Sequence, residues 1–368
     1  MQININRLEH SIFSGSYLTD DVSFLLKPIS IPYTDVEERE RIMQIEGRHY
    51  SELLPKEYLP SKQYQAIFYQ VFDFNKHRLA QHIFALANRL NQKKSLVLVS
   101  LARAGTPIGV ILKRCLRDLF HREVAHYSIS IILDKGIDEN ALRYILSHHD
   151  KQGADIVFID GWTGKGGIAR EVKKWVDRFN QQHETNISTD LYTVADIAGY
   201  ATVAATTKDY VIPSALLNST INGLVSRTIL NKNYLNEDDF HGCKLYPEFE
   251  PYDLSLWFVE QMMIEIKTLD EPRACINVNQ HPLQQQNNQF IQQVMVTYKI
   301  GNRRLIRPGI GEAIRILLRR VPDRILVQDR HSTDISPFLV LAEEKNVPVE
   351  EVKTMPYQAV GIVSQLTL

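Results

Sequence analysis

Two hydrophobic periods alternate along the middle of the chain. Leu96–Ser100 (LVLVS) is a short apolar run, the pattern of a strand covered on both faces. After the segment SLARAGTPIG, apolar residues recur at helical spacing: Ile108, Ile111, Leu112, Cys115, Leu116 and Leu119. Val124–Ile132 reads as a second strand, and DENALRYILSHH (Asp138–His149) as a helix with Asp138 placed to cap it. Ile156–Ile159 is a third strand, followed by the helical stripe Ile168, Val172, Trp175, Val176 and Phe179. Leu191–Val194 is a fourth. This alternation predicts an α/β fold with a parallel sheet covered by helices and a ligand site at the strands' carboxyl ends.

Outside this core the pattern changes. Residues 1–91 are rich in helix formers and tyrosines without a repeat, and are expected to form a lid. Residues 92–195 are the core, and 196–270 complete it with a hood, including a helix over Leu254–Leu269. Asn277–Gln289 is almost all amide side chains, so 271–290 is expected to be a solvated linker. Residues 291–368 then form a second module: a turn RPGIGE, a helix striped by Ala313, Ile314, Leu317, Leu318 and Val321, and a strand Ile325–Val327. A helix capped by Ser336 and started by Pro337 follows, then Val347–Val352.

Composition narrows the functional classes. At 368 residues the chain is long enough for two cores, and a net charge of −1 forces no polyanionic partner on the whole. The second module is different: Lys299–Arg330 holds nine Lys/Arg against three Asp/Glu, a nucleic-acid footprint that competes with a plain solvated helix face. Cys115, Cys243 and Cys275 are scattered without CxxC spacing, as in a reducing compartment. No leader pattern and no apolar run of spanning length is visible, so a soluble cytoplasmic protein without membrane contact is expected.

The chemistry concentrates in IVFIDGWTGKGGIAREV (Ile156–Val172). A glycine-rich turn between strand and helix exposes backbone N–H groups beside the positive end of the helix dipole, an anion site by construction. The nucleotide P-loop pattern fails: aligning Gly164-Lys165 puts Ile159 at its first glycine and Gly166 at its metal-binding hydroxyl. The dinucleotide spacing fails too. A tight turn with no ligand is the plain alternative.

The segment resembles the phosphoribosyl-diphosphate (PRPP) loop of type I phosphoribosyltransferases. That resemblance implies Asp160 on ribose hydroxyls and Thr163, Gly164, Lys165, Gly166 and Gly167 around the 5′-phosphate. Gly161 replaces the usual second acid. By the same resemblance, Arg103, Ala104, Gly105 and Thr106 would bind diphosphate, and Lys135 would sit on a mobile catalytic loop with Asp138 and Arg143 as weaker candidates. Mg²⁺ would ride on the substrate rather than on protein side chains. Trp162, Ser219, Thr220 and Arg227 are possible base or hood contacts, though packing and turn formation explain them nearly as well.

The segments Gly15–Pro28, Gly47–Pro55, Lys135–Leu142, Phe158–Gly166 and Asp209–Thr228 resemble one bacterial group: phosphoribosyltransferase-like proteins fused to a Pelota/L7Ae-type RNA-binding domain, tied to tellurium-resistance and stress-response gene clusters. In the second module the resemblance implies RNA contacts at Arg307, Gly309, Glu312 and Arg315, with Gly311 where relatives carry an amide. The expectation is a PRPP- and Mg²⁺-dependent transferase tethered to RNA. A catalytically silent nucleotide- or RNA-binding regulator on the same fold is the second reading. The third is a cysteine peptidase, a label some relatives carry, with His241-Gly242-Cys243 as its natural site.

Overall fold

The computed structural model describes residues 12–276 and 280–365. Residues 1–11 of the expected lid, 277–279 of the expected linker and 366–368 lie outside the described residues. The lid supplies β1 (Ser23–Leu25), β2 (Lys27–Pro28), β3 (Tyr33–Thr34), α1 (Val36–Gln44), β4 (Leu54–Pro55) and the long α2 (Lys62–Asn91). Ser61 starts α2 by accepting a hydrogen bond from the Tyr64 amide.

The core runs β5 (Val97–Ala102), α3 (Thr106–Phe120), β6 (Ala125–Ile132), β7 (Gly136–Ile137), α4 (Glu139–His148), β8 (Ile156–Thr163), α5 (Gly167–His183), β9 (Leu191–Asp196) and β10 (Val203–Thr206). The main sheet has the order β1-β6-β5-β8-β9-β10, with every neighbouring pair parallel; β7 folds back antiparallel on β6. Leu98 of β5 and Val157 and Ile159 of β8 face α2 and α3, whereas Val97, Val99, Ile156 and Phe158 face the side of α4 and α5. The period of two in these strands therefore builds a helix–sheet–helix sandwich, as the sequence predicts. Asp138 caps α4 as expected, accepting from the Ala141 amide at 3.1 Å.

Core strands follow the spatial order 2-1-3-4-5, so the chain reverses direction of winding between β5 and β8. Open α/β sheets place their ligand crevice at such a switch, outside the strands' carboxyl ends. β8 extends past the expected Ile159, because Trp162 and Thr163 pair with Ala195 and Asp196. The loop proper begins at Gly164.

Beyond the core come β11 (Gly242–Cys243), paired parallel with β2, and α6 (Ser255–Ile266), shorter at its C-terminal end than its apolar pattern suggests. The amide-rich stretch is not a solvated linker: Gln280–Thr297 is α7. Phe290, Ile291 and Val294 bury its later turns, and Asn287 and Gln284 donate to the carbonyls of Gly164 and Gly199. Amides can pair with backbone where a charged side chain would need a counter-ion. The second module continues with β12 (Ile306–Pro308), α8 (Ile310–Arg319), β13 (Pro322–Val327), α9 (Ser336–Glu344), β14 (Val349–Glu351) and β15 (Ala359–Val363), its sheet ordered β12-β15-β13-β14. Gly309 takes φ 93° at the cap of α8, where a side chain would be strained. Ser336 is not the cap of α9; Ile335 holds that position, and no side chain caps the helix.

Ile310, Ala313, Ile314 and Leu317 of α8 and Phe338 and Ala342 of α9 belong to the same apolar cluster as α2 and α3. These helices extend the first module's core, while Leu305, Ile316, Leu326 and Val360 form a separate cluster with α7.

Candidate functional site

The loop after β5 is bound up internally. The Thr106 hydroxyl lies 2.8 Å from that of Ser128, and the Gly105 amide donates to the Leu101 carbonyl at 3.1 Å. A Cβ on Gly105 would lie 2.3 Å from the Ile159 carbonyl oxygen, so only glycine allows this approach of the loop to β8. Ala104 faces Gly161 across the same gap. Arg103 is buried, donating to the Val225 carbonyl at 2.7 Å and pairing with Glu57 of the lid at 2.7 Å. Glu57 in turn accepts from the amide of Ser219, which is buried with Thr220. Arg227 donates to the Tyr50 carbonyl at 2.6 Å and stacks over the Tyr50 ring. These side chains tie core, lid and hood together.

The loop after β8 is filled by the second module. The Gly164 carbonyl accepts from Tyr357 at 3.2 Å, and a Cβ on Gly164 would lie 2.3 Å from the Pro308 carbonyl oxygen. Lys165 turns its ammonium onto the carbonyls of Ile306 and Arg303 at 2.7 and 3.1 Å, and burial pulls its pKa down to about 7. Thr163 accepts from the Gly166 amide, Gly166 carries φ 70° under the Tyr200 ring, and Gly167 opens α5. Asp160 has the Gly161 amide at 2.8 Å; burial pushes its carboxyl up to about 7, against the opposing pull of Arg315.

Trp162 lies beneath the Arg315 guanidinium at 4.5 Å, and Gly311 packs flat on its ring. Glu312 bridges Arg315 at 3.1 Å and Arg307 at 3.4 Å; burial opposes its ionisation, yet these arginines and Lys165 hold it below the usual carboxylate range. At the start of α8, the Asp209 carboxylate accepts from the Ile310 amide at 3.1 Å and from the Gln358 amide at 3.0 Å, while burial pushes it up to about 7. The cavity beside Trp162, Asp209 and Gly311 is about 10 Å³, room for a single water. Thus the residues expected at PRPP and those expected at RNA meet each other.

Lys135 is elsewhere. With Arg143, Trp175, Lys232, Glu237 and His241 it lines an open cleft of about 570 Å³. His241 holds Ser130 through Nδ1 at 2.8 Å, and its main-chain amide donates to Asp138 at 2.6 Å. Cys243, two residues on, is fully buried, and burial pushes its thiol far up. Cys115 is likewise buried and raised, with its sulfur 3.7 Å from that of Met263; Cys275 is half-buried and raised to about 11. Among the described residues no cysteine hydrogen-bonds to an imidazole, and no metal-binding cluster is assembled. Hydroxyl–imidazole contacts include Ser130–His241 at the cleft and the interior pair Ser100–His126, with Ser51–His49, Ser147–His148, Tyr127–His149 and Tyr210–His82 elsewhere. Sequence reading missed Ser130, Glu57 and Asp209. Ser128 and Ser130, polar in an otherwise apolar strand, were a usable signal for the first; nothing local marks the other two.

Comparison with known proteins adds three findings. Residues 15–263 match the family described as tellurite-like stress resistance cysteine protease StiP. Residues 285–365 match the PELOTA RNA binding domain. A protein of Acinetobacter baylyi described as cysteine protease StiP is 37% identical over 368 residues, covering 96% of this chain and 95% of its own. These findings overturn the phosphoribosyltransferase expectation, since family and relative carry the description of a hydrolase; the expected PRPP and Mg²⁺ lose their basis with it. The mixed α/β architecture with its mainly parallel central sheet and Pelota-type C-terminal module stands; a type I phosphoribosyltransferase fold is not shown. The chain belongs to the StiP family.

Proposed function

We propose that this chain is a stress-resistance cysteine peptidase whose nucleophile is Cys243 and whose base is His241, joined to a C-terminal module that binds RNA. The observation that carries the reading is His241 on the wall of an open cleft of about 570 Å³, with a cysteine two residues further along the same strand edge. The family description and that of the Acinetobacter baylyi protein support the reaction type. The Cys243 thiol would lose its proton to His241 and attack the peptide carbonyl carbon. The amine would leave with that proton, and water would then cleave the thioester.

The thiol is covered in the described state, so the reading requires β11 to open. Its hold is short: Lys27 and Ile29 donate to the carbonyls of His241 and Cys243 at 2.9 and 2.8 Å, and Ile229 exchanges bonds with Gly242. Short paired edges open at low local cost. Hydrolysis of a fluorogenic casein, together with labelling by a thiol-directed probe, tests the reading. Cys243→Ala and His241→Ala are expected to lose activity by about 100-fold or more, while Cys115→Ala and Cys275→Ala retain it. Full activity in Cys243→Ala sinks the assignment. RNA binding is supported by the PELOTA match and by the basic stretch Lys299–Arg330, and a mobility shift that weakens with salt checks it.

A further inference from the structure

Much of the basic stretch of the second module is already engaged. Arg307 and Arg315 bracket Glu312, Arg320 pairs with Glu40 of α1, and Arg324 pairs with Asp323. Arg303 and Arg304 lie instead at the border with the first module. The Arg303 carbonyl accepts from the Lys165 ammonium at 3.1 Å, and Arg304 reaches Asp134 at 2.9 Å while 62% of its side chain stays in water. An RNA strand on these two arginines would lie against the first module beside Lys165.

A row of cations begins at that border. Arg170 donates to the Lys165 carbonyl at 3.1 Å, and Lys174 and Arg178 follow it at intervals of four along α5. Residues four apart share a helix face, so the three make one stripe about 12 Å long at a rise of about 1.5 Å per residue. All three are exposed. Their contacts are rings and a carbonyl: Arg170 lies over Tyr200 at 4.7 Å, and Lys174 and Arg178 lie over Trp175 at 5.4 and 5.0 Å. Among the described residues no carboxylate pairs with any of them. The acids of the same helix are occupied, Asp177 by Lys173 at 3.2 Å and the buried Glu171 by the Trp175 indole at 2.8 Å. The row ends at the cleft, whose wall Trp175 shares with Lys135 and Arg143.

A merely solvated helix face interleaves the two signs at this spacing, because like charges four apart destabilise the helix. We propose that α5 carries RNA bound by the second module onward across the first, with the phosphates of one strand along Arg170, Lys174 and Arg178. A polyanionic strand fits because the charges are in line, of one sign and uncompensated, and releasing its counterions drives binding. The rings of Tyr200 and Trp175 orient the cations without neutralising them, which leaves N–H donors for phosphate oxygens. The inference rests on the reading that the second module binds RNA, and it is independent of the peptidase reading.

The test follows binding of the full chain to a fluorescently labelled 20-nucleotide RNA, unstructured or as a hairpin, by anisotropy across a salt series. Arg170→Gln, Lys174→Gln and Arg178→Gln together should weaken binding by about tenfold or more and lower the slope of log affinity against log salt by about 2. Arg178→Gln alone should lower it by about 0.7. A charge-matched change to Gln of Lys62 and Lys76 on α2 and of Lys267 just after α6, on the other side of the sheet, should leave affinity and slope unchanged. If the wild-type chain binds neither RNA, the RNA-binding reading falls and this inference with it. If it binds and the triple variant matches it in affinity and slope, this inference alone falls. Sedimentation with phosphatidylserine vesicles that needs the same three residues, while RNA binding does not, would make the row a membrane contact and overturns the assignment too.

Discussion

The cleft beside His241 and the junction around Trp162 hold similar side chains under opposite conditions. In the cleft, Lys135, Arg143 and Lys232 surround about 570 Å³ of open space. At the junction, Lys165, Arg315 and Asp209 surround main chain and an aromatic ring, beside a cavity of about 10 Å³. The ionisation of Asp160, Lys165 and Asp209 is displaced because water has been removed, not because a reacting partner has been supplied. Perturbed groups do cluster at functional sites, but they cluster equally where one module seals another. Here Asp160, Lys165 and Asp209 mark the seal. The wall of the cleft carries His241, and the Cys243 thiol, in the two-residue strand β11, is fully buried.

The contrast is sharpest for thiol access. Iodoacetamide should alkylate Cys275 in the native protein at least ~1,000-fold faster than Cys115, with Cys243 between them at a rate set by opening of β11. If Cys243 reacts as fast as Cys275, the cleft is not closed over its thiol. Next in size, Asp209→Ala leaves the buried amides of Ile310 and Gln358 without their acceptor. A loss of about 3 kcal/mol is expected in urea unfolding, and no loss would show that the seal is loose.

A pH series probes the same seal. Asp160 and Asp209 are raised to about 7, so the folded state holds protons that the unfolded state has released above about pH 4. Their contribution is full below that value and is lost as pH rises through 7, by on the order of 2 to 3 kcal/mol for each between pH 5 and 8. Lys165, lowered to about 7, runs the other way: stability returns as pH rises from about 7 towards 10. Asp160→Asn should flatten the first slope, measured as melting temperature against pH. Smallest of all, Arg324→Ala removes exposed pairs with Asp323 and Glu350 and should cost under about 0.5 kcal/mol.

The core was legible because each strand and helix carries its own period. β5, β6, β8 and β9 fall where apolar runs predict them, and Asp138 caps its helix. The amide-rich stretch misled because composition reports solvation only when nothing folds onto it; Asn287 finds the Gly164 carbonyl from another part of the chain. The loop after β8 misled in the same way. Its glycines read as room for a phosphate, and Gly164 instead makes room for Pro308. The pairing of Arg103 with Glu57 and of Asp209 with Ile310 joins residues far apart in sequence, which no local pattern can announce.

The extension of the first core by α8 and α9 also orders events during synthesis. The ribosome completes α2 and α3 long before it makes α8 and α9, whose Ile310, Leu317 and Phe338 cover part of the same apolar cluster. Until the last quarter of the chain emerges, that surface stays open to water and to other nascent chains. A stop codon placed after the first module would leave the surface bare permanently. Separate expression of the two halves should therefore yield aggregates or chaperone-bound chains, even though a family match ends at residue 263 and another begins at 285.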